Sequence, residues 1–157
     1  MHFCFENTVA LRRENVFAFF ENPERIEMLH AGERLRLLHC ETQVCVGGET
    51  WVEVMVARVL PLVLGFRHVM FEPNVQFAEI AIHGPFSRFL HAHEFESRAG
   101  GTLVRDRLEI SLPWYYGGEM AVKLLVAPEV TRMFRHRAKA LYDQAQNGAI
   151  AQQTQKK

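Results

Sequence analysis

Six segments of strand-like composition follow one another between residues 35 and 113, and only short turn sequences separate them. The segments are rich in valine, isoleucine and phenylalanine, and the turns contain Gly47-Gly48 and Pro73-Asn74. Connections this short favour antiparallel hairpins, because a parallel crossover needs about a dozen residues or more. The sequence therefore predicts an antiparallel meander. Its strands are expected at 35–46, 51–60, 62–71, 75–84, 86–97 and 102–113.

The region before this meander has a different period. Residues 2–10 alternate loosely and predict a first strand, after which apolar residues recur at helical spacing. Pro23 interrupts that pattern, because the residue before a proline avoids the helical region, so two short helices are expected. Their apolar face contains Val16, Phe17, Phe20, Ile26 and Leu29.

After the meander, a long amphipathic helix is predicted beyond Gly117, and Pro128 either kinks it or begins a new first turn. The order of the elements predicts an α+β fold in which a strongly curved antiparallel sheet wraps around the C-terminal helix. The helix cannot fill the whole concave face of such a sheet, so a ligand cavity is expected between them. The periodic face of the helix contains Val130, Met133, Phe134, Arg137 and Leu141.

The formal net charge of the 157-residue chain is zero, which argues against a nucleic-acid partner and gives no electrostatic reason to bind an anionic membrane. The longest apolar run, at 59–66, is too short to span a bilayer, so no stable membrane insertion is expected. Three cysteines without a C-x-x-C spacing, and no signal pattern, predict a reduced cytoplasmic location. One domain is expected over 1–146, followed by a flexible polar tail over 147–157.

The hairpin at 98–101 allows its register to be predicted. In the strand before it, His91 and His93 share a face with phenylalanines, and in the strand after it Asp106 is the one charge on an otherwise apolar face. Both faces must lie on the same side of the sheet, which requires an even-numbered loop. A four-residue loop pairs His93 with Asp106 and His91 with Leu108. Directly opposed side chains are about 5 Å apart at Cβ, so a hydrogen bond between His93 and Asp106 is expected.

Three interpretations of this pair remain open: a structural pair in a cavity wall, a polar anchor for an apolar ligand with His91 free to bind it, and catalysis. In the catalytic case Asp106 orients His93, which acts as a base. The two histidines and one carboxylate are also enough for three metal ligands. Because Asp106 faces only one of the rings, no metal site is predicted. Glu53 and Glu79 lie in strands whose faces are not clearly amphipathic, so the direction of their side chains is not predicted.

Further cavity candidates come from other strands and from the helix. Trp51 and Met55 share a strand face, although Glu53 lies on it too. The arginines Arg132, Arg135 and Arg137 are interpreted as a solvated side of the helix rather than an anion site. The complete predicted lining consists of Trp51, Met55, Phe77, Phe89, His91, His93, Phe95, Asp106, Leu108, Ile110, Val130, Met133 and Phe134.

Four sequence stretches carry a resemblance to a known family: "GPFSRFLHAHEF", "GGTLVRD", "LEISLP" and, in the last helix, "MFRHRAKAL". Together they resemble the ligand-binding SRPBCC proteins of the START-like, helix-grip superfamily, over nearly the whole chain to about Leu141. Two residues depart from the pattern. Phe89 stands where a tryptophan is usual and Ile110 where a tyrosine is usual, so the pocket lacks a phenol, which counts against an enzyme. The matching positions are Gly84, Pro85, Phe86, His91, His93, Phe95, Gly100, Gly101, Thr102, Asp106, Leu112 and Pro113.

The resemblance implies a seven-stranded curved sheet that grips the C-terminal helix around a deep hydrophobic cavity. Members of the superfamily bind lipids, sterols, quinones or polyketides, and some catalyse cyclisation or dehydration of polyketides. The expected function is therefore binding of a small hydrophobic molecule, without a cofactor, and a homodimer is left open. The alternative is a cyclase- or dehydratase-like enzyme in which His93 is the base and Asp106 orients it.

Overall fold

The computed structural model describes residues 1–22, 25–29, 35–56 and 60–146, without the side chains of Ile26 and Glu27. The predicted helix break at Pro23 and the predicted polar tail at 147–157 lie outside the described residues. No helix in the described part of the chain is long and apolar enough to cross a membrane.

Seven antiparallel strands form a single open sheet in the order β1-β7-β6-β5-β4-β3-β2, with the first two strands of the sequence at its two edges. The predicted α+β architecture is confirmed: a seven-stranded antiparallel sheet is followed by a long C-terminal helical region. The strands are β1 (His2–Val9), β2 (Leu35–Cys40), β3 (Glu49–Val56), β4 (Leu60–Glu72), β5 (Gln76–His83), β6 (Arg88–Arg98) and β7 (Gly101–Ser111).

Two short helices follow β1, as predicted, and the C-terminal helix is built from three contiguous segments. A π-helical segment lies immediately before Pro128, which has no backbone N–H to donate to the preceding turn. Such wider turns let a helix continue past an irregularity, so the helix is neither broken nor restarted there. The segments are α1 (Arg13–Phe20), α2 (Ile26–Leu29), a 3₁₀ turn (Trp114–Tyr116), α3 (Gly118–Ala121), the π segment (Val122–Val126) and α4 (Ala127–Gln146).

The register of the β6–β7 hairpin agrees with the sequence-based prediction. His93 pairs with Asp106 and His91 pairs with Leu108. The turn is tighter than predicted, because Arg98 also pairs with Gly101 and only two residues remain between the strands. That loop is still even-numbered, which is why the inward faces of both strands stay on the same side of the sheet.

Gly101 begins β7 at a point where the backbone of β1 comes very close. A Cβ atom built on Gly101 would lie only 2.1 Å from the carbonyl oxygen of Val9. Thr102, the next residue, is fully buried and its hydroxyl donates a hydrogen bond to the carbonyl oxygen of Leu11 at 2.7 Å. The pair Gly101-Thr102 therefore fastens the N-terminal edge strand to the hairpin.

The predicted second strand at 35–46 is shorter in the structure, where it ends at Cys40. Val44 leaves the sheet: its backbone N–H donates to the carbonyl oxygen of Glu21 at 3.0 Å, and its side chain is buried. The chain between β2 and β3 therefore packs against the end of α1 instead of extending the ladder.

An aromatic cluster closes one end of the sheet beneath α1. The ring centroid of Phe95 lies 5.2 Å from that of Phe17 and 5.1 Å from that of Phe20, both in edge-to-face geometry. Phe77 joins the same cluster from β5. Side chains therefore fill this end of the concave face.

Candidate functional site

A cavity of about 430 Å³ lies between the concave face of the sheet and α4. Its volume falls within the range of small-molecule sites, about 300 to 1,000 Å³. Most of its wall is aliphatic or aromatic, and the polar side chains among the lining residues include His68, Glu79, His91, His93 and Arg137. The site is therefore an apolar chamber with a polar cluster in its wall.

Ten of the thirteen predicted lining residues contribute to the cavity wall, and Trp51, Phe95 and Asp106 do not. Asp106 lies directly behind the two histidines and contacts both of them. The ten lining residues are Met55, Phe77, Phe89, His91, His93, Leu108, Ile110, Val130, Met133 and Phe134.

Trp51 lies on the outer face of β3. Its neighbours Thr50 and Val52 are buried and line the cavity, so alternation directs the indole to the other side. There the ring covers Gly65, which has no side chain, and its centroid lies 5.5 Å from that of His83. Phe95 is displaced from the wall for a different reason, since α1 covers it within the aromatic cluster.

The side chains of the polar cluster that come from the sheet lie in two neighbouring rows of cross-strand pairs. Glu79 of β5 pairs with His68 of β4 on one side and with His91 of β6 on the other. The next row brings Phe77, His93 and Asp106 together in the same way. Cross-strand neighbours in one row lie within reach of each other, so the sheet register assembles these residues, and Arg137 joins them from α4.

Asp106 is the buried centre of the cluster, and all of its close polar contacts fall on Oδ1. This oxygen lies 2.7 Å from Nδ1 of His93, 3.2 Å from Nε2 of His91 and 3.3 Å from Nη2 of Arg137. The second oxygen, Oδ2, is buried without a hydrogen-bond partner among the described residues. The Arg137 side chain reaches Asp106 from α4, where it packs over the ring of Phe134.

The proton on His93 is assigned by distance. Nη2 of Arg137 also lies 3.2 Å from Nδ1 of His93, so this nitrogen could accept from Arg137 or donate to Asp106. Two lone pairs facing each other at 2.7 Å would repel, and therefore Nδ1 of His93 carries the proton and donates it to Asp106. Arg137 then acts on the carboxylate as a positive charge at 3.3 Å, and Nε2 of His93 has its lone pair available.

Glu79 extends the cluster toward β4. Its Oε1 atom lies 3.4 Å from Nδ1 of His91, and its Oε2 atom lies 3.9 Å from Nδ1 of His68. Neither ring nitrogen of His68 has a hydrogen-bond partner among the described residues, although the residue is only 5% exposed. Buried polar groups are nearly always hydrogen-bonded, so His68 is a donor or acceptor with unused capacity beside the cavity.

The two adjacent histidines have opposite pKa shifts. Burial raises the cost of charging His93, and the neighbouring charge of His91 adds to it, so the pKa of His93 falls to about 3. Burial also opposes the charge on His91, but hydrogen bonds to Asp106 and Glu79 outweigh it and raise the pKa of that ring. The surroundings therefore favour the charged form of His91 and the neutral form of His93.

The two carboxylates remain ionised despite their burial. Burial alone would raise the pKa of Asp106, but the charge of Arg137 and the hydrogen bonds from the histidines hold it well below its usual range. Burial would likewise raise the pKa of Glu79, but its hydrogen bond with His91 and the charges of the three nearby histidines together outweigh burial and lower it. The two carboxylates thus face Arg137 and His91, whose charged form they favour.

A metal ion is a further chemical option for this cluster. Glu79, His91 and His93 each offer one ligand atom, and these atoms all lie within 4.8 Å of one another. The sequence-based argument against a metal considered Asp106 as the carboxylate, whereas the structure brings Glu79 to both histidines.

Sequence reasoning missed three members of the cluster: His68, Glu79 and Arg137. Arg137 was interpreted as solvated but is only 4% exposed. The signal was its spacing, because it falls on the same helical face as the buried residues Phe134 and Leu141. The direction of Glu79 required knowledge of the β5–β6 register, which the sequence did not supply.

Exposed apolar side chains surround one part of the cavity boundary. Leu125 lines the cavity and is also 69% exposed, so the cavity reaches the surface beside the π segment. Trp114 and Tyr115, in the preceding 3₁₀ turn, are 86% and 64% exposed. An apolar surface at this position suits the entry of an apolar ligand.

No protein-family profile matches the sequence, and no curated protein matches it. Solved structures do match. Protein TTHA0849 from Thermus thermophilus has 16% identity and a TM-score of 0.73, over 94% of this chain and 99% of that one. Protein CV1439 from Chromobacterium violaceum has 14% identity and a TM-score of 0.69, over 91% and 96% of the two chains.

A third similar structure is the di-domain ARO/CYC protein StfQ from the steffimycin biosynthetic pathway. It has 11% identity and a TM-score of 0.77, over 94% of this chain and 51% of that one. At such identities the similarity shows the fold alone. That fold is a seven-stranded antiparallel sheet with a long C-terminal helix, the helix-grip arrangement that the sequence resemblance implied.

Proposed function

We propose that this protein binds a small hydrophobic molecule in the cavity between the sheet and α4. The observation that carries the proposal is the cavity itself: about 430 Å³ of space with a mainly apolar wall. Phe66, Leu108 and Ile110 from the sheet and Met133 and Phe134 from α4 contribute to this wall. Burying apolar ligand surface against such a wall contributes roughly 25 cal/mol per Å² before the costs of association.

The polar cluster gives the ligand a preferred orientation in this proposal. His68, Glu79, His91 and His93 all line the cavity, so a hydroxyl or carbonyl group of the ligand would bind at their end. The remainder of the ligand would lie along the apolar wall. We therefore expect a ring system or chain with one polar end, such as a lipid, a quinone or a polyketide-like aromatic compound.

Calorimetric titration with 2-naphthol, an apolar ring system with one hydroxyl group, tests this proposal. Wild-type protein is expected to bind one molecule per chain. Met133→Trp should weaken binding by about tenfold or more, since it fills the cavity from α4. Met120→Trp is the matched control, because Met120 is 65% exposed and is not among the lining residues. Equal affinity in all three proteins, or no binding to the wild type, would refute the proposal.

Native mass spectrometry of freshly purified protein, with organic extraction of bound material, would identify the natural ligand class. We expect a discrete hydrophobic compound.

We also propose a cytoplasmic location for this function, since three cysteines without a pairing pattern suit a reducing compartment.

A cyclase-like enzyme is the second candidate, and the 2.7 Å contact between Asp106 and His93 favours it. StfQ, which shares the fold, is described as an ARO/CYC protein. In this proposal Asp106 orients His93, and Nε2 of His93 removes a proton from a substrate carbon atom next to a carbonyl group. A pKa of about 3 makes His93 a weak base, which is why binding without chemistry is placed first.

Hydrogen–deuterium exchange at the central carbon of benzoylacetone, an apolar 1,3-diketone, separates the two candidates. If the protein is an enzyme, the wild type should accelerate the exchange and His93→Gln should not, while both proteins still bind 2-naphthol. If the protein only binds its ligand, the exchange rate should be the same with the wild type and with His93→Gln.

A further inference from the structure

We propose that Glu79, His91 and His93 form a binding site for a divalent transition-metal ion of the zinc type in the wall of the cavity. The inference goes beyond the proposed binding function, because it concerns an inorganic ligand held by the polar cluster. It depends on three observations: the spacing of the ligand atoms, the contacts behind them, and an unused histidine beside them.

The spacing fits a three-ligand site. One ligand atom from each of Glu79, His91 and His93 lies within 4.8 Å of the other two. Zinc–nitrogen and zinc–oxygen bonds are about 2.0 to 2.2 Å long, so a modest contraction of the three side chains would bring them to one ion. Two histidines and one glutamate are a known ligand type for zinc sites that keep a position open. That position would face the cavity, since all three residues line it.

The contacts behind the histidines are those that a metal site requires. Metal-bound histidines usually donate their second N–H to a carboxylate, which fixes the ring and selects the ligating nitrogen. Here a single oxygen of Asp106 accepts from Nε2 of His91 and Nδ1 of His93. The nitrogens left for an ion are Nδ1 of His91 and Nε2 of His93. Arg137 neutralises Asp106 from behind and stays outside the ligand set.

His68 provides the independent observation. It lines the same cavity, is 5% exposed, and neither of its ring nitrogens has a hydrogen-bond partner among the described residues. Its Nδ1 lies 3.9 Å from Oε2 of Glu79. A buried imidazole with unused nitrogens at this distance is one further donor, so His68 can supply a fourth ligand at the open position from the side of β4.

Binding of the ion involves a simple exchange of bonds. Nδ1 of His91, which faces Oε1 of Glu79 at 3.4 Å, gives its proton to solvent. The nitrogen lone pair and the Glu79 oxygen then both bind the cation. No oxidant, reductant or further co-reactant is required.

The experiment uses metal-stripped full-length protein and the ions alone. Calorimetric titration with Zn²⁺ and visible spectroscopy with Co²⁺ should give one ion per chain and the strong absorption of four-coordinate cobalt. His91→Gln and Glu79→Gln should each abolish stoichiometric binding, and His68→Gln should weaken it by about tenfold or more. His83→Gln, a change at an exposed histidine in the end of β5, should bind as the wild type does.

Circular dichroism and thermal melting of every variant separate loss of the site from loss of the fold. If His91→Gln or Glu79→Gln is unfolded, His93→Asn and His68→Gln take its place, because each removes one of the other proposed ligands. The proposal is overturned if the wild type binds no ion at a stoichiometry of one. It is equally overturned if the folded variants at Glu79, His91, His93 and His68 keep the wild-type affinity for the ion, or if His83→Gln loses that affinity.

The outcome is independent of ligand binding. Titration of chelator-treated protein with 2-naphthol reports on the cavity alone. Failure of metal binding with intact 2-naphthol binding would refute the metal site and leave the proposed function in place.

Discussion

The guanidinium of Arg137 lies 3.3 Å from Oδ1 of Asp106, and both side chains are almost completely shielded from solvent. One comes from α4 and the other from β7, so this ion pair links the two layers of the fold. A buried charge that loses its partner is far more costly than an exposed one, because neither water nor another charge compensates it.

Replacement of Arg137 by methionine should therefore destabilise the protein strongly. We expect a loss of about 3 to 5 kcal/mol in the free energy of unfolding, measured by urea denaturation, since Asp106 would remain buried with only the histidines beside it. Arg135→Met is the matched control on the exposed side of the same helix, and it should change stability by less than about 0.5 kcal/mol. Similar losses in the two variants would contradict the assigned ion pair.

Removal of both charges should be less harmful than the two single changes suggest. In Asp106→Leu/Arg137→Met no buried charge of the pair remains, and replacement of a buried ion pair by apolar groups is often nearly neutral. The double-mutant cycle should give a coupling free energy within about 0.5 to 3 kcal/mol. Strict additivity would show that the two side chains do not interact in solution.

The low pKa of His93 predicts a specific dependence of stability on pH. Between its folded pKa of about 3 and the ordinary histidine value of 6.5, the unfolded chain binds one proton more than the folded chain at this position. Stability is therefore lost as the pH falls through 6.5, with a slope of up to about 1.4 kcal/mol per pH unit from this group. His91 has the opposite shift, so its contribution is lost as the pH rises through its folded pKa.

Urea denaturation of wild type and His93→Gln from about pH 7 to about pH 5 isolates this contribution. The wild type should lose more stability on acidification than His93→Gln, because His91 is present in both proteins. His83→Gln should follow the wild-type curve. Parallel curves for wild type and His93→Gln would mean that His93 is not held neutral by its surroundings.

Gly101 should tolerate no side chain. In Gly101→Ala the new Cβ would meet the carbonyl oxygen of Val9 at 2.1 Å, so β1 or the hairpin must move. Gly100→Ala is the control: its backbone has φ of +91°, but no atom lies within 4 Å of a Cβ there. We expect a loss of about 1 kcal/mol for Gly100→Ala and a clearly larger one for Gly101→Ala, by thermal denaturation. Equal losses would exclude the close approach of β1.

The β6–β7 hairpin shows why much of the fold was predictable from sequence. A strong turn signal and clear alternation on both strands leave one even-numbered register, and this register places His93 opposite Asp106. Those constraints are local. The order of β2 to β7 follows from their short connections, whereas the pairing of β1 with β7 joins distant parts of the chain and was not predicted from the residues.

Apart from His68, the remainder of the site depends on contacts that local patterns do not encode. For His68 a local signal did exist, because Leu62, Leu64, Phe66 and His68 line the cavity at every second position of β4, and sequence reasoning did not use it. Trp51 was misplaced because hydrophobicity does not distinguish the two faces of a strand whose outer side also packs against a ring. Arg137 was misplaced because a charge on an apolar helix face is normally solvated, and only its partner on another element explains its burial.

The most direct test of the central claim is an NMR experiment on isotope-labelled protein with 2-naphthol. Intermolecular nuclear Overhauser effects should connect the aromatic protons of the probe with methyl groups of Ile110, Leu108 and Met133, which line the cavity. Contacts restricted to exposed groups such as Leu124, or no intermolecular contacts at saturation, would contradict the account of this protein as a cavity-binding one.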